Sequence, residues 1–304
     1  MADGIVISPA SSAQERWSWR DLLTLCKPRV VAVMLVCTLV GMLLASTAPP
    51  LDALVLGLSG IGLAAGGAAA FNHVLDRRLD TMMLRTARRP LATRRLPVTL
   101  ALAWASLLSA TGIGLLWWQV NALTAWLTLA SLLGYALIYT AFLKRATPQN
   151  IVIGGVAGAA PPLLGWTAIS GELAPEPLLL VLIIFAWTPP HFWALAIHKQ
   201  DEYARAGVPM LPVTHGVAFT RLQIWLYGWL TVAVTLLPFC VGMSGMLYLV
   251  GITLLNVRFM VWNWRVWRGK DATAPIGAFW FSIHYILGVF VVLLLDRYAM
   301  FWLL

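Results

Sequence analysis

Asn72, Asp76 and Asp80 stand at i, i+4 and i+8 in the run Phe71-Asn72-His73-Val74-Leu75-Asp76-Arg77-Arg78-Leu79-Asp80. On a helix, residues four apart differ by about 40° in azimuth and about 6 Å along the axis, so the three share one stripe. Like charges at that spacing repel, and acids near the end of an apolar segment are costly unless something positive lies between them. A hard cation answers both problems. Mg²⁺ takes carboxylate and amide oxygens, keeps several waters and completes its shell from phosphates. Pairing of Asp76 and Asp80 with Arg77, Arg78 or Arg85 at a solvated helix end is the plainer alternative. The next residues, Met83-Leu84-Arg85-Thr86-Ala87-Arg88-Arg89-Pro90-Leu91, carry more arginine than such pairing needs. Surplus guanidinium beside carboxylates suits a polyanion, whose phosphate oxygens arginine grips in pairs.

Two further runs carry candidate chemistry. In Tyr139-Thr140-Ala141-Phe142-Leu143-Lys144-Arg145, Lys144 is positioned to meet a phosphate and Tyr139, one turn earlier, to face a cavity. A belt tyrosine and a topology-setting lysine are the alternative. In His191-Phe192-Trp193-Ala194-Leu195-Ala196-Ile197-His198-Lys199-Gln200-Asp201, Asp201 supplies a second acid and Lys199 a cation beside it.

These motifs sit in a chain of 304 residues that is 60% hydrophobic and 11% charged, with mean hydropathy +0.81. So little polar surface cannot close a water-soluble globule, so the chain must be solvated by lipid. Spans of about 20 apolar residues satisfy their own backbone groups in hydrocarbon. We read nine, at roughly 30–48, 52–75, 98–118, 121–143, 150–170, 178–197, 217–241, 246–264 and 275–295. The fold expected is an all-α polytopic bundle spanning 27–304 as one domain, after an N-terminal tail over 1–26 without the pattern of a signal peptide. The Pro161-Pro162 and Pro189-Pro190 pairs are expected to break spans five and six. Cys26, Cys37 and Cys240 have no metal or disulfide spacing.

The charge of +9 is distributed in alternate loops. Arg16, Arg20, Lys27 and Arg29 precede span one, seven arginines lie between spans two and three, and Lys144 with Arg145 follows span four. Lys199 and Arg205 follow span six, and Arg265, Arg268 and Lys270 follow span eight. The intervening connections lack Lys and Arg. This positive-inside pattern predicts a cytoplasmic N-terminus, an external C-terminus and both acidic motifs at the cytoplasmic rim, and it accounts for the basic charge without nucleic acid. On the outer side Asp52, Glu172, Glu176 and Asp296 read as ordinary end residues. Four spans separate Asp76 from Asp201, a hint of a duplicated four-helix unit.

The pattern Asn-x-x-x-Asp-x-x-x-Asp followed by Met-x-Arg-Thr-x-x-Arg-Pro-Leu resembles the first signature of the UbiA-type intramembrane prenyltransferases. Thr147-Pro148-Gln149-Asn150, Gly158-Ala159-Ala160-Pro161-Pro162, Trp187-Thr188-Pro189-Pro190-His191-Phe192-Trp193 and Gly207-Val208-Pro209-Met210-Leu211-Pro212 resemble the heme-farnesylating branch. The resemblance covers about residues 20–295. Many members of the superfamily have Asp where this chain has His73 and where it has Arg205, so one carboxylate is missing at each site. The resemblance implies a ring-like bundle around a central cavity in a bacterial inner membrane. It implies Mg²⁺ as cofactor, farnesyl diphosphate and heme B as substrates, and heme A synthase or an oxidase-assembly protein as a candidate partner. It assigns Asn72, Asp76, Asp80 and Asp201 to the metal, and Arg77, Arg85, Arg89, Lys144 and Lys199 to phosphate. Tyr139 would orient the allylic group. His73, His191 and His198, near the same rim, are candidates for the porphyrin iron or a propionate. A transferase acting on another aromatic or tetrapyrrole acceptor is the neighbouring alternative, and a transporter the more distant one.

Overall fold

The computed structural model describes residues 17–83, 86–143 and 146–303, and every regular element among them is helical. In chain order these are α1 (Trp19–Leu25), α2 (Pro28–Ala45), α3 (Leu51–Asp80), α4 (Val98–Gln119), α5 (Ala122–Leu133) continued by a π-helix (Gly134–Leu143), α6 (Asn150–Ala159) and α7 (Pro161–Ser170). They are followed by α8 (Pro175–His198), α9 (Gln200–Arg205), α10 (Leu211–Thr214), α11 (Gly216–Cys240), α12 (Met246–Arg268) and α13 (Ala274–Leu303). Nine of the described segments are long and apolar enough to cross a membrane: 28–45, 51–80, 98–119, 122–140, 150–170, 175–198, 216–240, 246–268 and 274–300. Each expected span is found, several of them longer than expected because polar residues at the ends stay helical. The protein is a multi-pass membrane protein. Trp118, Trp126, Trp229, Trp264 and many leucines and valines are exposed, as lipid-facing side chains of such a chain must be.

Local sequence explains the boundaries. Pro28, Pro161 and Pro175 begin α2, α7 and α8, where a proline's missing N–H costs no helix bond. Gly171 and Gly269 close α7 and α12 in the left-handed conformation. Neighbouring helices pack around the bundle from α2 through α3, α4, α5, α6 and α8 to α11, α12 and α13, and α13 returns to α2 to close the ring. Within it, α2 meets α7 through Gly41 and Gly165. A Cβ at either position would lie 2.0 or 1.9 Å from a carbonyl oxygen of the facing helix, so only glycine admits this approach.

The two proline pairs behave differently. At Pro161-Pro162 the helix breaks, as expected, into α6 and α7. At Pro189-Pro190 it does not: α8 runs unbroken through both. Pro190 deprives the Ala186 carbonyl of its helical donor, and the Thr231 hydroxyl of α11 supplies one at 3.0 Å, sharing its proton with the Tyr227 carbonyl at 2.7 Å. The helix survives because a neighbour satisfies the group that proline orphaned. Deeper in the bundle the Tyr285 hydroxyl donates to Asn256 (2.6 Å), Asn256 donates to Thr235 (3.1 Å) and Tyr248 donates to the Thr235 carbonyl (2.6 Å). This buried network locks α11, α12 and α13 together.

Two end regions differ from the sequence reading. Part of the stretch expected as a tail is helix α1. Ser18 and Asp21 form a capping box, and Asp21 pairs with Arg95 at 2.6 Å. Leu25 packs with Val74, Leu91 and Leu96. Asp296, expected as an ordinary end residue, is buried. Its carboxylate accepts from the backbone N–H groups of Gly245 (2.7 Å) and Tyr248 (3.1 Å), capping α12 from across the bundle.

Candidate functional site: an acid stripe met by cations from two elements

The spacing of Asn72, Asp76 and Asp80 does what it predicts: all three lie on one buried face of α3, each 3% exposed or less. Asn72 organises the stripe. Its Nδ2 donates to Asp76 Oδ2 at 3.0 Å and to the Thr140 hydroxyl at 3.1 Å, and its Oδ1 accepts from Lys27 Nζ. Those partners fix which way the amide points.

The π-helix explains how Thr140 arrives. Widened turns of this kind break the ordinary i−4 ladder, and the Thr140 hydroxyl donates to the Tyr135 carbonyl five residues back at 2.9 Å. Its remaining lone pair then faces Asn72. Tyr135 and Tyr139, one turn apart, stack with ring centroids 5.7 Å apart. Tyr139 lies within electrostatic reach of Asp76 and of Tyr203 on α9, and Tyr135 within reach of Asp76 and Arg89. Gly154 of α6 makes room for Tyr139: a Cβ there would fall 2.1 Å from the ring.

One turn beyond Asp76, both oxygens of Asp80 accept from Arg89 Nη1, at 2.8 and 2.9 Å. The Thr86 hydroxyl, donating to the Asp80 carbonyl at 3.0 Å, folds the loop back over the helix end. Arg77 turns its guanidinium to the Val74 carbonyl at 2.8 Å. Arg85 and Lys144 lie outside the described residues.

The second motif shares the rim of the first. Leu79 from α3 and Tyr203 from α9 pack against a single cluster containing Met83, Ile151, Trp193 and Ala206. Asp201 is exposed. Lys199 pairs with Glu202 at 2.7 Å. Among the described residues no three His, Cys, Asp or Glu side chains are gathered closely enough for a metal ion. The structure thus joins Asn72 to Asp76, gives Asp80 to Arg89, and exposes Asp201 at the start of α9. His73 is buried on α3, His198 is exposed at the end of α8, and His191 is buried within α8. Sequence reasoning missed Lys27 and Thr140. Lys27 was read only as a topology charge, although its place immediately before the helix-opening Pro28 fixes it at the rim. No local signal marks Thr140.

Comparison with known proteins places this arrangement. The profile of the UbiA prenyltransferase family matches residues 34–302. The chain belongs to the UbiA prenyltransferase family. It is therefore a prenyltransferase rather than a transporter, as the motif resemblance implies. The chain is 60% identical to "Protoheme IX farnesyltransferase 1" of Pseudomonas putida (strain W619) over 94% of its length and 97% of the relative's. It is 59% identical to "Protoheme IX farnesyltransferase" of Azotobacter vinelandii over 93% and 95%. Among solved structures it superposes on a digeranylgeranylglyceryl phosphate synthase with a TM-score of 0.78, at 16% identity, covering 91% of this chain and 98% of the other. A UbiA homolog from Archaeoglobus fulgidus bound to GPP and Mg²⁺ superposes with a TM-score of 0.62, at 16% identity, covering 90% and 99%.

Proposed function

We propose that this UbiA-family chain transfers the farnesyl group of farnesyl diphosphate to a vinyl group of heme B, with addition of water, giving heme O and diphosphate. The observation that carries the reading is the buried acid stripe of α3, already drawing a cation from the residue that precedes α2 and another from the loop after α3, in a chain about 60% identical to farnesyltransferases of protoheme over nearly its whole length.

The donors of the stripe fit Mg²⁺. They are all carboxylate or amide oxygens, they are buried, and two of them, on Asn72 and Asp80, accept from the cationic side chains Lys27 and Arg89. Asn72, Asp76, Asp80 and, from the same rim, Asp201 are the residues that would hold it, directly or through water. Bound there, Mg²⁺ would stabilise the charge that grows on the diphosphate as the allylic C–O bond opens.

The chain's own residues do the rest. Lys27, Arg77, Arg89 and Lys199 are four described cations at the rim, with Arg85 and Lys144 beside them in sequence, and a polyanion arriving there exchanges their carboxylate and carbonyl partners for phosphate oxygens. Asn72 keeps Asp76 oriented through the Nδ2 bond. Tyr135 and Tyr139 present a stacked aromatic pair beside the stripe, suited to an allylic group carrying positive charge. The surrounding helices exclude the water that would intercept that group. We place the protein in the inner membrane with the N-terminus and the site on the cytoplasmic side, from the distribution of Lys and Arg.

Incubating the purified protein with farnesyl diphosphate, hemin and Mg²⁺ and weighing the porphyrin tests the reading. A porphyrin heavier by one farnesyl group and one hydroxyl is expected, the second proton of the added water leaving with the diphosphate, and its formation should stop when the divalent cation is chelated. Unchanged heme, with prenylation of an aromatic or chlorin acceptor instead, would replace this reading by the neighbouring one.

A further inference from the structure

His191 is the best-defined imidazole in the molecule. It is 7% exposed on α8. Its ring lies between Trp187 (centroids 4.3 Å apart, planes 20°) and Phe279 of α13 (4.6 Å, 23°), with the edge of Phe192 at 4.9 Å. Both faces are therefore covered, and the ring plane is fixed.

The tautomer is fixed as well. His191 Nδ1 and the Ser282 hydroxyl oxygen are 2.6 Å apart. The Ser282 hydroxyl has one proton, which it donates to the Phe279 carbonyl at 2.6 Å. The hydroxyl oxygen can then only accept, so Nδ1 carries the hydrogen and Nε2 carries a lone pair. No described residue donates to Nε2, and Nε2 is not among the sealed buried atoms. A histidine serving only to fill the core would bury both nitrogens against partners. Here one is spent on orientation and the other has no hydrogen-bond partner among the described residues. A fixed tautomer with Nδ1–H donated to a second group is the arrangement in which an imidazole offers Nε2 to a metal. A tetrapyrrole iron is the metal suited to a single imidazole in apolar surroundings. His198, His215 and His284, by contrast, are exposed.

Resting on the heme-farnesylation reading above, we infer that His191 Nε2 is the axial ligand to the iron of the porphyrin acceptor, and that Ser282 is the positioning residue that holds the ligand's tautomer. His191 lies seven residues, or about 10 Å of helix, inside the end of α8 that shares the rim with the acid stripe. A porphyrin held by its iron at that depth keeps its vinyl edge free to meet a prenyl chain whose diphosphate stays at the rim. Of the three candidate histidines of the sequence, His191 serves the iron, while His73 is buried on α3 and His198 is exposed at the end of α8.

The test is spectroscopic. Purified protein is titrated with heme B in detergent, and the iron–imidazole signature is read by optical and resonance Raman spectra in both oxidation states. The wild type should show it. His191→Ala should lose it and regain it with added imidazole, while metal-free protoporphyrin binds both proteins equally. Ser282→Ala should keep the signature but shift its iron–imidazole frequency and weaken heme binding by about 10-fold or more. An unaltered iron–imidazole band in His191→Ala overturns the inference. Should that variant fail to fold, an unshifted band in Ser282→Ala overturns it instead. A wild type that farnesylates heme without any imidazole on the iron sinks this inference alone, whereas a wild type that farnesylates no heme sinks the functional reading beneath it.

Discussion

Lys27, at the mouth of α2, donates its ammonium to the side-chain oxygen of Asn72, 45 residues away on α3. The contact joins two helices at the point where the acid stripe begins. It also sets the Asn72 amide so that its nitrogen faces Asp76 and Thr140. Lys27 itself sits at φ 48°, in the left-handed region that non-glycine residues enter at a cost.

Replacing Lys27 by Met keeps the stem and removes the charge. A hydrogen bond to a charged group contributes about 1.5–3 kcal/mol, so the Michaelis constant for farnesyl diphosphate should rise by roughly 10-fold or more, and the thermal midpoint in detergent should fall because the buried Asn72 oxygen loses its donor. Steady-state kinetics at saturating heme read this directly. An unchanged constant would return Lys27 to a purely topological role.

Gly154 gives a sharper handle on Tyr139. Adding one methyl there drives a carbon to 2.1 Å from the ring, whereas Gly158, one turn on, has nothing within 4 Å. Gly154→Ala should therefore displace Tyr139 at an overpacking cost of about 1–3 kcal/mol and lower the turnover number, and Gly158→Ala should do neither. Melting curves and turnover for the two variants side by side decide it. Equal behaviour would mean that the position of Tyr139 does not matter to transfer.

Asp296 separates stability from chemistry. Its carboxylate caps α12 far along the chain from any rim motif, with two backbone N–H groups as donors. Asp296→Ala leaves both without an acceptor in a buried place, a loss of about 1–3 kcal/mol. The melting temperature should fall, while the Mg²⁺ dependence and the Michaelis constants of the protein that remains folded stay as in the wild type.

Much of this was legible because the membrane makes composition decisive. Apolar runs found nine spans, and the i, i+4, i+8 spacing found the face that α3 buries. The Pro189-Pro190 pair misled, because helix continuity there depends on the Thr231 hydroxyl of a helix 41 residues downstream of Pro190. Thr140 was invisible for a similar reason: it reaches Asn72 only because a π-helical turn rotates it there. Asp296 looked ordinary because a carboxylate near a span end is indistinguishable, by spacing, from one that closes a distant helix. What the sequence conceals in each case is a tertiary partner.

Asp80 and Arg89 pose the question that the spacing left open, whether the acid only pairs with its arginine or serves a ligand. Asp80 is buried and Arg89 is a quarter exposed, so removing either leaves a charge without its partner, and single variants would damage fold and function together. Exchanging the pair resolves this. Asp80→Arg with Arg89→Asp restores one positive and one negative group across the same gap, while taking the carboxylate off the stripe that Asn72 and Asp76 define. If the acid served pairing alone, the exchanged protein should regain both its melting temperature and its transfer rate. We expect it to regain most of its stability relative to either single variant and to stay at least about 100-fold below the wild-type rate, the scale of losing one preorganised electrostatic group at a reacting centre. Full recovery of turnover would remove Asp80 from the site and leave Asn72 and Asp76 as the oxygens of the stripe that matter to the reaction.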